Sequence, residues 1–85
     1  MNNSLSESET KAVLDILVEQ LAVPATELTP EARLGEDLGA DSLDKVEILM
    51  TVDERFGITV SDEMADRVST VGDLIETLAE LLGKR

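Results

Sequence analysis

The stretch Glu36-Asp37-Leu38-Gly39-Ala40-Asp41-Ser42-Leu43-Asp44 marks where the central helix of this chain begins. Gly39 permits a sharp turn, Asp41 carries the short acceptor side chain that caps a helix, and Asp44 falls at the third helical position. Ser42 is therefore the first residue inside the helix, with its hydroxyl facing solvent. The pattern runs on to about Phe56, where Gly57 stops it after about four turns.

On a wheel of about 100° per residue this helix carries two apolar groups. Ile48, Leu49, Val52 and Phe56 share one side, whereas Leu43, Val46 and Met50 lie roughly opposite, interleaved with Glu47, Asp53 and Glu54. A central helix packed on both sides would need two such stripes. Acids set among the second group give it instead the apolar centre and charged rim of a docking surface, so Leu43, Val46 and Met50 are candidates for partner contact.

Towards the N-terminus, Pro30, Gly35 and Gly39 punctuate a long loop from Pro24 to Ala40, pinned to the core by Leu28, Leu34 and Leu38. Loops this long in small domains are commonly functional. A first helix precedes it. Ser6 caps that helix with Glu9 three residues on, and Val13, Leu14, Leu17, Val18 and Leu21 form its buried stripe. It ends near Ala22, since Pro24 disfavours helix at Val23. Residues 1–5 read as a flexible tail. Towards the C-terminus, Ile58, Thr59 and Val60 have no second strand to pair with and read as a buried loop. A short helix from Ser61 to about Arg67 follows. Thr70 and Asp73 then cap a final helix carrying Val71, Leu74, Ile75, Leu78, Leu81 and Leu82. The expected fold is all-α: a small four-helix bundle of three main helices and one short one, forming one domain over residues 1–85.

Composition narrows the function. The 85 residues are 42% apolar with Phe56 as the only aromatic, which calls for an aliphatic core. Nineteen acids against seven bases give a formal charge of −12, which repels nucleic acid and anionic lipid and favours basic partners. From Gly35 to Asp66 there are ten acids and two bases, so the charge gathers around the central helix. With no Cys and no His, thiolate nucleophiles, cysteine-ligated zinc and the usual general base are excluded, and no metal site is expected. No apolar run exceeds three residues, against the about 20 needed to span a bilayer. The opening Met1-Asn2-Asn3-Ser4 has no basic segment and leads to no apolar run, so a cytoplasmic address is expected. Ser42 is a poor nucleophile here, because no histidine can take its proton. Any chemistry at its hydroxyl falls to another enzyme, and on the residues alone it reads as a helix-start serine.

The nine residues from Glu36 to Asp44, followed by Val46, Glu47, Met50 and Phe56 and by Thr70-Val71-Gly72-Asp73, resemble the acyl carrier protein signature over nearly the whole chain. The free-standing carriers of bacterial dissociated fatty-acid synthesis are the most similar. The resemblance implies a non-catalytic, monomeric carrier in fatty acid biosynthesis. In such a carrier a phosphopantetheinyl transferase moves 4′-phosphopantetheine from coenzyme A onto the motif serine, here Ser42, and the arm's thiol holds acyl groups as thioesters. A borrowed thiol accounts for the missing cysteine. It further implies that Asp41, Asp44, Glu47, Asp53, Glu54 and Asp62 meet basic patches on synthesis enzymes and acyltransferases, with Leu43, Val46 and Met50 as the apolar part of that face. Ile48, Val52, Phe56, Val60, Val68 and Leu78 would shelter acyl chains between the helices. Ser61 stands where many relatives have Pro, Met64 replaces a usually acidic residue, and Gly35 a usually apolar one. Two other readings stay open: a carrier for a specialised polyketide or lipopeptide pathway, and an acidic interaction or cation-binding module without a prosthetic group.

Overall fold

The computed structural model describes residues 5–83. Its elements are α1 (Glu7–Leu21), a short 3-10 turn (Ala25–Glu27), α2 (Ser42–Phe56), α3 (Asp62–Asp66) and α4 (Val71–Leu81). The expected four-helix, all-α architecture is present, and no described helix is long and apolar enough to cross a membrane. Most of the expected tail, residues 1–4, lies outside the described residues. Leu5 does not belong to a tail: its side chain is buried in the core ahead of α1, because an apolar residue just before a cap gains by folding back.

Reciprocal caps start the three long helices. The Ser6 hydroxyl accepts from the Glu9 N–H at 3.2 Å, and Glu9 Oε1 accepts from the Ser6 N–H at 2.9 Å. Asp41 with Asp44, and Thr70 with Asp73, repeat the arrangement. Each cap satisfies helix-end donors that would otherwise lack a partner. Ser61 caps α3 through its hydroxyl alone, accepting from the Met64 N–H at 3.2 Å. α2 ends at Gly57 with φ +67°. α1 ends at Leu21, in line with the expected end near Ala22, and Ala22 itself adopts the left-handed conformation at φ +56°, two residues before Pro24.

The interior is aliphatic throughout. Val13 and Leu17 from α1, Ile48 and Val52 from α2, Val68 ahead of α4, and Val71, Leu74 and Leu78 on α4 are its largest fully buried side chains. Phe56 packs half-buried against it. Ile58 and Val60 are also half-buried and Thr59 is exposed, so the segment after Gly57 lies along the core rather than inside it.

The loop from Pro24 to Ala40 is pinned by buried Leu28, Leu34 and Leu38, as expected, yet it is more ordered than its leucines require. It pairs with the corner between α3 and α4. Arg33 and Thr70 form an isolated antiparallel bridge, and the Leu34 N–H donates to the Ser69 carbonyl at 2.9 Å. The Val71 and Gly72 N–H groups donate to the carbonyls of Ala32 (3.0 Å) and Pro30 (2.9 Å). Those are first-turn donors of α4, which the helix cannot satisfy internally, so the loop completes the cap that Thr70 begins.

Candidate functional site

A tight turn delivers the start of α2 to the surface. The Asp37 carboxylate accepts from the Arg33 N–H at 2.8 Å, Gly39 turns at φ +79°, and the Ala40 N–H donates to the Leu34 carbonyl at 2.8 Å. Buried Leu38 anchors the turn beneath. Asp41 then closes its box with Asp44: the Asp44 N–H donates to Asp41 Oδ1 at 2.8 Å, and the Asp41 N–H to Asp44 Oδ2 at 3.2 Å. Ser42 follows as the first helical residue. It is exposed, and among the described residues its hydroxyl forms no hydrogen bond. It borders an open cleft of about 630 Å³ between the start of α2 and the corner after α3, together with Leu34, Lys45, Asp66 and Val68.

Beside this mouth, α2 shows its second face. Leu43, Val46 and Met50 are 64%, 52% and 58% exposed, the exposed large hydrophobic residues of the described chain. The acids expected on the partner face divide by their local duties. Asp41, Glu47, Glu54 and Asp62 are exposed, whereas Asp44 and Asp53 are half-buried. Asp44 belongs to the cap, and Asp53 Oδ1 accepts from the Val60 N–H at 3.2 Å, tying the segment after Gly57 back onto α2. Glu47 accepts from the Gln20 side chain of α1 at 2.7 Å. Of the residues expected to shelter an acyl chain, Ile48, Val52, Val68 and Leu78 are buried, and Phe56 and Val60 are half-buried. Val68 is the member of that set that lines the cleft beside Ser42.

Residues 11–78 match the family described as phosphopantetheine attachment site. The chain belongs to this family.

Solved structures agree with this family membership. One from Mycobacterium tuberculosis, assigned as an acyl carrier protein, is 26% identical with a TM-score of 0.79, over 85% of this chain and 96% of that one. The acyl carrier protein from Enterococcus faecalis is 27% identical with a TM-score of 0.77, over 88% of this chain and 95% of that one. Phosphopantetheine attachment domains are non-catalytic carriers, modified by a phosphopantetheinyl transferase and loaded with acyl chains. The surface around Ser42 fits such an arm: a hydroxyl without a partner among the described residues, exposed at a helix start, opens beside a cleft with room along it.

Two neighbours of this site had no assigned role in the sequence reading. Lys45 counted there only as one base among acids, although its spacing of three from Ser42 already placed the two on one helix face. Gln20 lies off the buried stripe of the first helix and carried no signal of its partner, because 27 residues separate it from Glu47.

Proposed function

We propose that this chain carries acyl intermediates of fatty acid biosynthesis as thioesters on 4′-phosphopantetheine attached to Ser42. The observation that carries the assignment is the exposed, unbonded hydroxyl at the head of α2, inside the stretch that resembles the carrier signature. When bound, the arm supplies the one thiol of the system and a tether that raises the effective concentration of its cargo at each enzyme. Ser42 provides the oxygen for attachment. Since the chain has no histidine, the transferase must take the proton. Asp41 and Asp44 hold each other in the cap, which keeps the serine at a fixed place and angle for that enzyme.

The exposed Leu43, Val46 and Met50 form the apolar centre of the docking face, rimmed by Asp41, Glu47, Glu54 and Asp62, with Asp44 and Asp53 serving both the rim and the fold. Such a face steers basic enzymes at long range and lets them go quickly, as a shuttle requires. Ile48, Val52, Phe56, Val60, Val68 and Leu78 are the side chains past which a cargo chain would move; their all-apolar packing lets them part without stranding a buried polar group. Incubation with a transferase and coenzyme A should add the mass of one phosphopantetheine to the wild-type chain and none to Ser42→Ala. An unchanged mass for wild type would reject the assignment, and competition among fatty-acid and specialised acyl donors would separate the two carrier pathways.

A further inference from the structure

Lys45 follows Ser42 by three residues on α2, a spacing that brings two side chains to one face about 5–6 Å apart at their Cβ atoms. It is half-buried and lines the cleft that Ser42 borders. Among the described residues its ammonium takes part in no ion pair, although carboxylates crowd this part of the chain. Asp41 and Asp44, close to it in sequence, accept from each other's backbone N–H, and Asp41 and Asp66 share the cleft with it without forming an ion pair among the described residues. The other base on the cleft, Arg33, is paired with Glu36.

An anion placed on Ser42 meets a hostile setting. Asp41 and Asp44 flank it, and the Asp44 N–H, a helix-end donor that would suit an anion, already donates to Asp41 at 2.8 Å. One cation on that wall has no carboxylate partner. We infer that Lys45 is a positioning residue that binds the phosphodiester of the arm, laying its first segment along the cleft between α2 and the corner after α3. The inference rests on attachment at Ser42. Lysine suits the task because a compact charge on a flexible stem can follow a phosphate without demanding a fixed two-pronged geometry. The pair is partly solvated, so it weakens as salt rises.

The test uses the full chain as wild type, Lys45→Met, Lys45→Arg and Ser42→Ala, each incubated with a transferase and coenzyme A and weighed intact. Phosphorus NMR of the loaded chains and nitrogen NMR of the lysine ammonium groups are recorded at low and high salt. The expected result is a Lys45 ammonium resonance that moves between the unloaded and loaded forms, and a wild-type phosphorus resonance that moves with salt. Lys45→Met should lose that salt response and Lys45→Arg should keep it, with the held arrangement favoured about two- to five-fold in wild type at low salt. If the loaded chains share one phosphorus resonance at every salt concentration, the role of Lys45 is overturned while attachment at Ser42 stands. If Ser42→Ala gains the same mass as wild type, attachment at Ser42 is overturned, and the inference with it.

Discussion

Gln20 on α1 donates to Glu47 Oε1 on α2 at 2.7 Å and reaches Asp44 Oδ1 at 3.5 Å. A neutral amide on one helix thus orients two acids on the helix that carries the proposed docking face, without cancelling their charge. Gln20→Ala leaves Glu47 to water and Asp44 to its cap with Asp41, so the cost should be only about 0.5–1 kcal/mol. A urea titration checks this, with the midpoint lowered and the slope unchanged; no shift would mean that the bridge adds nothing to stability.

The exposed apolar trio separates stability from binding. Met50 is 58% exposed, so Met50→Glu should alter stability by less than about 0.5 kcal/mol. Placed at the centre of the proposed docking face, the same change should raise the KM for the transferase about tenfold, the loss expected for a central contact worth somewhat over 1 kcal/mol. An unaltered KM would move the docking surface elsewhere.

Ala22 ends α1 at φ +56°, where a Cβ crowds the following carbonyl. Ala22→Gly relieves that contact at some cost in unfolded-state entropy, for a net gain of about 0.5–1 kcal/mol. Thermal unfolding should show a higher midpoint.

Gly72 lies where α4 meets the loop. A Cβ there would sit 2.9 Å from the Pro30 carbonyl oxygen, the atom that accepts the Gly72 N–H. Gly72→Ala must push that backbone away, at about 1–3 kcal/mol. Hydrogen exchange should quicken at the Val71 and Gly72 amides first, because their acceptors lie on the displaced loop.

Asp73 links stability to pH. The N–H groups of Ser69 (3.0 Å) and Thr70 (3.1 Å) donate to its Oδ2 and hold its pKa below the ordinary 3.8. The fold therefore favours the ionised form, and this contribution is complete above the ordinary value and lost as pH falls through the lowered one. Asp73→Asn should be less stable than wild type at neutral pH by about 1 kcal/mol. The gap should close in acid, where Asp73 is itself protonated. Denaturant midpoints across that range measure it, and a constant gap would assign the effect to shape rather than charge.

How far the candidate site was legible depended on the range of its interactions. Ser42 could be set at the head of a helix because Asp41 and Asp44, three apart, are a local pair. The opposite placement of Val46 and Ile48 on the wheel was enough to separate an exposed apolar face from a core face. Asp53 was read only as a rim acid, since its bond to the Val60 N–H requires the chain to reverse at Gly57 first. Leu5 was read as tail because burial of a single leucine leaves no periodic signal.

What the sequence by itself determined is whatever acts over one helical turn: three capping boxes, the stop at Gly57, the amphipathic stripes and the family signature around Ser42. Tertiary structure alone decided the cleft beside Ser42, the acceptors on Pro30 and Ala32 that finish α4, and the grip of Gln20 on Glu47. The physical reason is distance along the chain. A cap closes between neighbours whose spacing is set by helix geometry, whereas these later contacts arise only after burial of the aliphatic core has brought remote segments together.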